Sequence, residues 1–291
     1  MSVGVDFDFP RWLAARRGSQ EQQAREGAAY AYAGERTFRR TLVMAKPVTI
    51  ALEATTRMWR DHARTELLGS AIKIAEGEDK LARVWKAARV AAERIRVRVP
   101  PIFATPNPDI RIKVLGTEDA PHLLVNMAVA DKLTDGELVA ALAHELGHVQ
   151  NGHILFATAL HYLTHSAAFF VRWAIQPAIL TLQAWSRRAE ITCDRAALIA
   201  TGDLAVTLRS IVKLDGPAGD PDTVLAKLTD ETGLARYAEL FSSHPHVGKR
   251  VQALRLFADS ALFAQLKGGD PAGKPSTAAV DKLVSNLLSV F

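Results

Sequence analysis

Two histidines four positions apart, His144 and His148, with Glu145 directly after the first, constrain this chain more than any other feature. Four residues advance an α-helix by about 400°, so the two imidazoles share a face, one turn apart, if the segment is helical. The surrounding sequence agrees. Thr134-Asp135-Gly136-Glu137 has the form of a capping box. Leu138, Leu142 and Leu146 then recur every four positions. The pattern predicts a helix from Thr134 to about His153. Two imidazole nitrogens on one face can converge on one metal ion. Zinc is the expected ion, because it accepts nitrogen ligands and can keep one position open for water. Glu145 then stands where a carboxylate can act as general base on metal-activated water. The plain alternative is a helix with two hydrogen-bonded histidines and a surface carboxylate.

Such a site needs a third protein ligand. The metzincin arrangement would place a histidine six residues past His148, but that position is Ile154, and the accompanying glycine position is Asn151. Gly152 and His153 are each one place off, so this source fails. The other source is a carboxylate from a later helix. Residues 186–195 read SRRAEITCDR, with Glu190 and Asp194 four apart on one helix face. Glu190 can ligate the metal. Asp194 can accept the free ring N–H of a ligand histidine and so fix its tautomer and orientation. For this pair the alternative is a solvated helix face beside Arg187 and Arg195.

Taken together, these blocks resemble the zinc metallopeptidases of the HtpX-type proteases and CAAX prenyl endopeptidases, within the gluzincins. The resemblance rests on DGELVAALAHELGHVQNGH over 135–153, SRRAEITCD over 186–194 and HPHVGKRVQAL over 244–254, in that order. It covers roughly residues 65–260. It implies an α+β, mostly helical, zincin-like fold with a small antiparallel sheet and an active-site helix. It implies one zinc per chain, held by His144, His148 and Glu190, with Glu145 catalytic. It also points to His244 as a donor to the transition-state oxyanion, with Arg250 orienting it or contacting substrate. Two positions depart from the pattern: Cys193 replaces a usual alanine, and His246 a more usual proline or threonine.

The function so implied is a zinc-dependent endopeptidase acting on peptide or protein substrates. A second class is a non-catalytic, zinc-containing interaction protein that retains the peptidase fold. Glu145 separates the two, since a structural site needs the ligands and only the chemistry needs the base. A third arrangement is a protease whose first 64 residues cover its own cleft.

Elsewhere, residues 101–130 hold three apolar runs punctuated by Pro106, Asn107, Pro108 and Gly116, which suggests a small antiparallel sheet. Residues 110–115 alternate apolar and basic, as a half-exposed strand does. The last run, 122–129, is expected to be an edge strand facing the cleft. An extended substrate would pair with it through main-chain hydrogen bonds, which makes Val125, Asn126 and Met127 candidate substrate-binding residues. Residues 78–96 read as an amphipathic helix with Leu81, Val84, Trp85, Ala88 and Ala92 on one face. A short strand is expected within 66–75. Helices are expected over 19–33, over 35–64 with a break near Pro47, and over 155–172, 178–200, 203–214, 222–229, 234–241 and 246–266. This divides the chain into a helical arm at 1–64, a metallopeptidase domain at 65–266, and a flexible tail at 267–291 with a terminal helix over 278–290.

Composition narrows the setting. With 48% hydrophobic and 23% charged residues, a disordered or fibrous chain is excluded. The net charge of +5 is uneven, with 19 basic and 12 acidic residues in 1–100. That excess suits either an anionic surface or solvated helix faces, and nucleic acid is not an expected partner. The single cysteine, Cys193, allows no intramolecular disulfide and fits a reducing, cytoplasmic setting. The N-terminus lacks the basic-then-apolar pattern of a secretory signal. Residues 146–171 carry no Asp, Glu, Lys or Arg, a length sufficient to cross a bilayer. His153, His161, His165, Gln150 and Asn151 interrupt it, which argues against an integral span and leaves peripheral membrane contact open.

Overall fold

Alanines at the spacing of one helix face govern how this chain packs. In the computed structural model, which describes residues 28–59, 64–74, 81–165, 169–228 and 247–289, the architecture is α+β and mostly helical. Helices α1 (Ala33–Leu42), α2 (Lys46–Met58) and α3 (Arg64–Gly69) lead into strand β1 (Ile72–Ile74). Helix α4 (Ala82–Ile95) buries Val84, Ala87, Ala88, Ala91, Ala92 and Ile95, the face expected from sequence. It ends where Arg96 turns left-handed at φ 59°.

Strands β2 (Ile102–Ala104), β3 (Ile112–Thr117) and β4 (Ala120–Val125) complete one four-stranded sheet of order β1-β2-β4-β3. Two ladders are antiparallel, but β2 and β4 run parallel, so the sheet is mixed. Alternation along the strands feeds two clusters. Ile102, Ile112, Val114, Leu123 and Val125 face the main core with α4, while Leu115 and Leu124 face Trp59 and Ile110. Strand β3 is therefore covered on both faces rather than half exposed, because residues 58 and 59 and Tyr162 roof its second face. A second correction concerns β4. It lies between β2 and β3 and is not an edge; the edge on this side is β3.

After α5 (Met127–Ala130) comes α6 (Asp135–Gln150), started by the expected capping box. Glu137 N–H donates to Thr134 Oγ1 at 3.3 Å and Thr134 N–H to Glu137 Oε2 at 2.7 Å. Helices α7 (Ile154–His165) and α8 (Phe169–Thr201) follow. Among the described residues, Leu42 of α1 and Val48 and Leu52 of α2 cluster with Phe156, Leu160, Leu182 and Trp185 of these two helices. Among the described residues no helix is long and apolar enough to cross a membrane.

Helices α9 (Leu204–Asp215), α10 (Pro221–Lys227), α11 (Val247–Ala258), α12 (Ala261–Leu266) and α13 (Thr277–Leu288) close the fold. α13 is docked: Val280 and Val284 are fully buried, and Asp281 accepts from Arg195 Nη2 at 2.6 Å. Of the helix expected over 19–33, residues 28–32 form a turn, Ala33 opens α1 and 19–27 lie outside the described residues, as does all of 234–241.

Candidate metal centre

Helices α6 and α8 cross at Gly147. A Cβ there would stand 3.0 Å from Ala196 Cβ and 3.2 Å from Cys193 Cα, so any larger residue would press the two helices apart. That approach brings α8 carboxylates to the two α6 imidazoles. His144 Nε2 lies 3.3 Å from Glu190 Oε2, and His148 Nε2 lies 3.6 Å from Glu190 Oε1. Ligands about 2.0–2.2 Å from a tetrahedral ion stand roughly 3.3–3.6 Å from one another. The donor set and its spacing therefore fit zinc. Cys193 Sγ is also within 4.8 Å of donors on both histidines. Burial raises its thiol pKa well above the usual range, and the nearby Glu190, Glu145 and Asp194 raise it further. Its sulfur faces His153 Nδ1 at 3.8 Å. Glu190 and Cys193 thus both stand within reach of the two histidines.

Each histidine is held from behind by a different device. His144 Nδ1 lies 3.0 Å from Asp194 Oδ1, the contact expected of Asp194. Burial would lower the His144 pKa, but Glu190 and Asp194 outweigh it and hold it up at about 10 in the metal-free protein. Asp194 is gripped in turn by Arg250, whose Nε and Nη2 donate to its two oxygens at 2.8 and 2.6 Å. Arg250 Nη1 also donates to Asp215 Oδ2 at 2.7 Å and stands 3.5 Å from Glu190 Oε2. Burial raises the Asp194 pKa, yet Arg250 and His144 bring it below the ordinary carboxylate value. With 2% exposure, Arg250 is a positioning residue of the carboxylates. Its guanidinium faces Asp194, Asp215 and Glu190, and His244, which it was expected to orient, falls outside the described residues.

His148 Nδ1 faces His153 Nδ1 at 3.2 Å, and His153 Nε2 faces Glu35 Oε1 at 3.4 Å. Trp185 Nε1–H donates to the same Glu35 oxygen at 3.0 Å. Burial drives the His153 pKa down to about 4, so this ring is neutral. Burial pushes Glu35 up, but His153 and Arg39 pull it below its usual value, so it is ionised. Arg39 also donates to the Asn151 and Gly152 carbonyls past the end of α6, where a cation is favoured by the helix dipole. Sequence reasoning missed Glu35. It sits on α1, over a hundred positions from the motif, and no spacing rule links the two.

The candidate base, Glu145, accepts from the Val114 backbone N–H of edge strand β3 at 2.7 Å through Oε2. The three residues expected to contact substrate have structural partners instead. Val125 is fully buried and paired with Ile112 and Ala104. Asn126 Oδ1 accepts from Ala128 N–H at 3.0 Å, starting α5. Met127 is half-buried against the main core.

A family model described as peptidase family M48 matches residues 114–258, from β3 to α11. The chain is 32% identical over 130 residues to the plastoglobule-localized metallopeptidase 48, chloroplastic, of Arabidopsis thaliana, a match covering 43% of this chain and 38% of that one. It is 27% identical over 199 residues to protease HtpX homolog 2 of Methanosarcina acetivorans, covering 55% and 64%. It is 23% identical over 220 residues to a protease HtpX homolog of Janthinobacterium sp. (strain Marseille), covering 63% and 75%. The match thus spans less than two thirds of the first two relatives' own lengths. No solved structure gives a significant match.

Proposed function

The chain belongs to peptidase family M48 through residues 114–258, and on that premise we propose that it is a zinc-dependent endopeptidase. The observation that carries the reading is the meeting of His144 Nε2 and His148 Nε2 with the two Glu190 oxygens at 3.3 and 3.6 Å. These three residues would hold one zinc per chain. Zinc, when bound, supplies a Lewis acid that makes water nucleophilic near neutral pH. Glu145 takes the proton of the attacking water and delivers it to the leaving amide nitrogen. Asp194 keeps the His144 proton on Nδ1 and leaves Nε2 free to ligate. The family resemblance supports His244 as the donor that receives the carbonyl oxyanion. A peptide or protein substrate, a cytoplasmic setting and peripheral membrane contact belong to the same proposal, the last two tested by cell fractionation.

The test is zinc analysis with a peptide-library cleavage assay on wild type, Glu145→Gln and His148→Ala. Glu145→Gln can still accept from the Val114 amide, so it removes the base and spares the fold. Close to one zinc in wild type and Glu145→Gln, with cleavage by wild type alone, is the expected result. Zinc held as tightly by His148→Ala refutes the site. One observation favours the non-catalytic reading: Glu145 ties α6 to β3, which gives that carboxylate a structural use. Zinc held by both with cleavage by neither would support that second reading, and equal cleavage by both would refute Glu145 as the base.

A further inference from the structure

The family match begins at residue 114, yet the ring behind His148 is completed by a side chain from residue 35. We infer that Glu35, acting through His153, is a positioning residue that fixes the tautomer of the metal-facing His148; this rests on the metal site proposed above. The argument begins from proton count. A histidine that ligates through Nε2 carries its proton on Nδ1. His148 Nδ1–H then donates to His153 Nδ1 at 3.2 Å, which must be bare to accept it. The Cys193 sulfur lies 3.8 Å from that same nitrogen. The His153 proton therefore sits on Nε2. That nitrogen is fully buried and makes no hydrogen bond of regular geometry among the described residues; the Glu35 carboxylate at 3.4 Å is the anion that favours a proton on it.

The carboxylate end is itself fixed. Glu35 is 0% exposed and is held by Trp185 Nε1–H at 3.0 Å and Arg39 Nε at 3.4 Å. The rings stand edge to face, His148 on His153 at 69° and His153 on Trp185 at 88°, which leaves little freedom to rotate. Glu35 thus does for His148, at one remove, what Asp194 does directly for His144. Its absence has a definite consequence. Without an anion at Nε2, the His153 proton can move to Nδ1 and donate toward His148. That places the His148 proton on Nε2, where it blocks ligation. Second-layer carboxylates of this kind typically change metal affinity by about 10- to 100-fold.

The test combines long-range ¹H–¹⁵N correlation of histidine side chains with zinc affinity by chelator competition, on the full chain. The variants are Glu35→Gln, Glu35→Asp and His148→Ala. Wild type is expected to show His153 protonated on Nε2 with a bare Nδ1. Glu35→Gln is expected to populate the other His153 tautomer and to bind zinc about 10- to 100-fold more weakly, with Glu35→Asp recovering part of both. A wild-type spectrum with His153 protonated on Nδ1 overturns the inference, and this holds even if Glu35→Gln does not fold. Wild-type zinc affinity and tautomer in a folded Glu35→Gln, beside a loss in His148→Ala, overturns the relay alone. Unchanged affinity in His148→Ala overturns the metal site and the relay together.

Discussion

Gly147 on α6 and Cys193 on α8 meet so closely that a methyl group on the first would lie 3.2 Å from the Cα of the second. Backbone, not a flexible side chain, stands in the way. Gly147→Ala is therefore expected to force the two helices apart by a few tenths of an ångström. It should cost about 1–3 kcal/mol of stability and weaken zinc binding, because Glu190 lies one turn before Cys193. Urea denaturation and zinc titration of the variant check this. Wild-type values in both would mean that the crossing can relax.

Arg250 is expected to matter for folding before it matters for turnover. Arg250→Met leaves Asp194 buried without its two guanidinium bonds. Removing one partner of a buried pair costs about 3–5 kcal/mol. The measurement is equilibrium unfolding of metal-free wild type and variant. A loss near zero, with a raised KM for peptide, would return Arg250 to a substrate-contacting role.

The capping box of α6 sets an acid limit. Burial pushes the Glu137 pKa up, but Lys213 at 2.7 Å and the Thr134 N–H outweigh it and hold it below 4.5. A carboxyl lowered on folding contributes stability that is present above its unfolded pKa and lost as pH falls through the folded value. Glu137→Gln keeps an acceptor for Thr134 and loses the charge facing Lys213. The variant should be less stable by about 1 kcal/mol at pH 7, and the gap should close below pH 4.5. Melting curves from pH 7 downward follow it, and a gap that does not narrow as the pH falls below the ordinary glutamate range would contradict the assignment.

The legible parts of this fold are those written in local spacing. Thr134 and Glu137 announce the start of α6, the alanines of 82–95 announce the face of α4, and the four-residue steps 144–148 and 190–194 announce two faces that meet. The illegible parts depend on which distant segment is the neighbour. The apolar run 122–129 announces a strand, but not that β2 runs parallel on one side of it and β3 antiparallel on the other. Arg250 reads as a surface charge on its own helix, and only the packing of α11 on α8 turns it to Asp194. Glu35 carries no local signal, since its partners His153, between α6 and α7, and Trp185, on α8, are distant in sequence.

The docking of α13 has a consequence for how this protein is made. Arg195, next in sequence to Asp194, is fully buried and waits for Asp281, a partner 86 positions later. Glu35 waits for Trp185 across 150 positions. Closing loops of that length is slow compared with forming the helices themselves. A nascent chain on the ribosome therefore carries His144, Glu145 and His148 long before it carries the contacts that aim them. The buried setting of Arg195, beside Asp194, is therefore complete only after translation has passed the codon for Asp281.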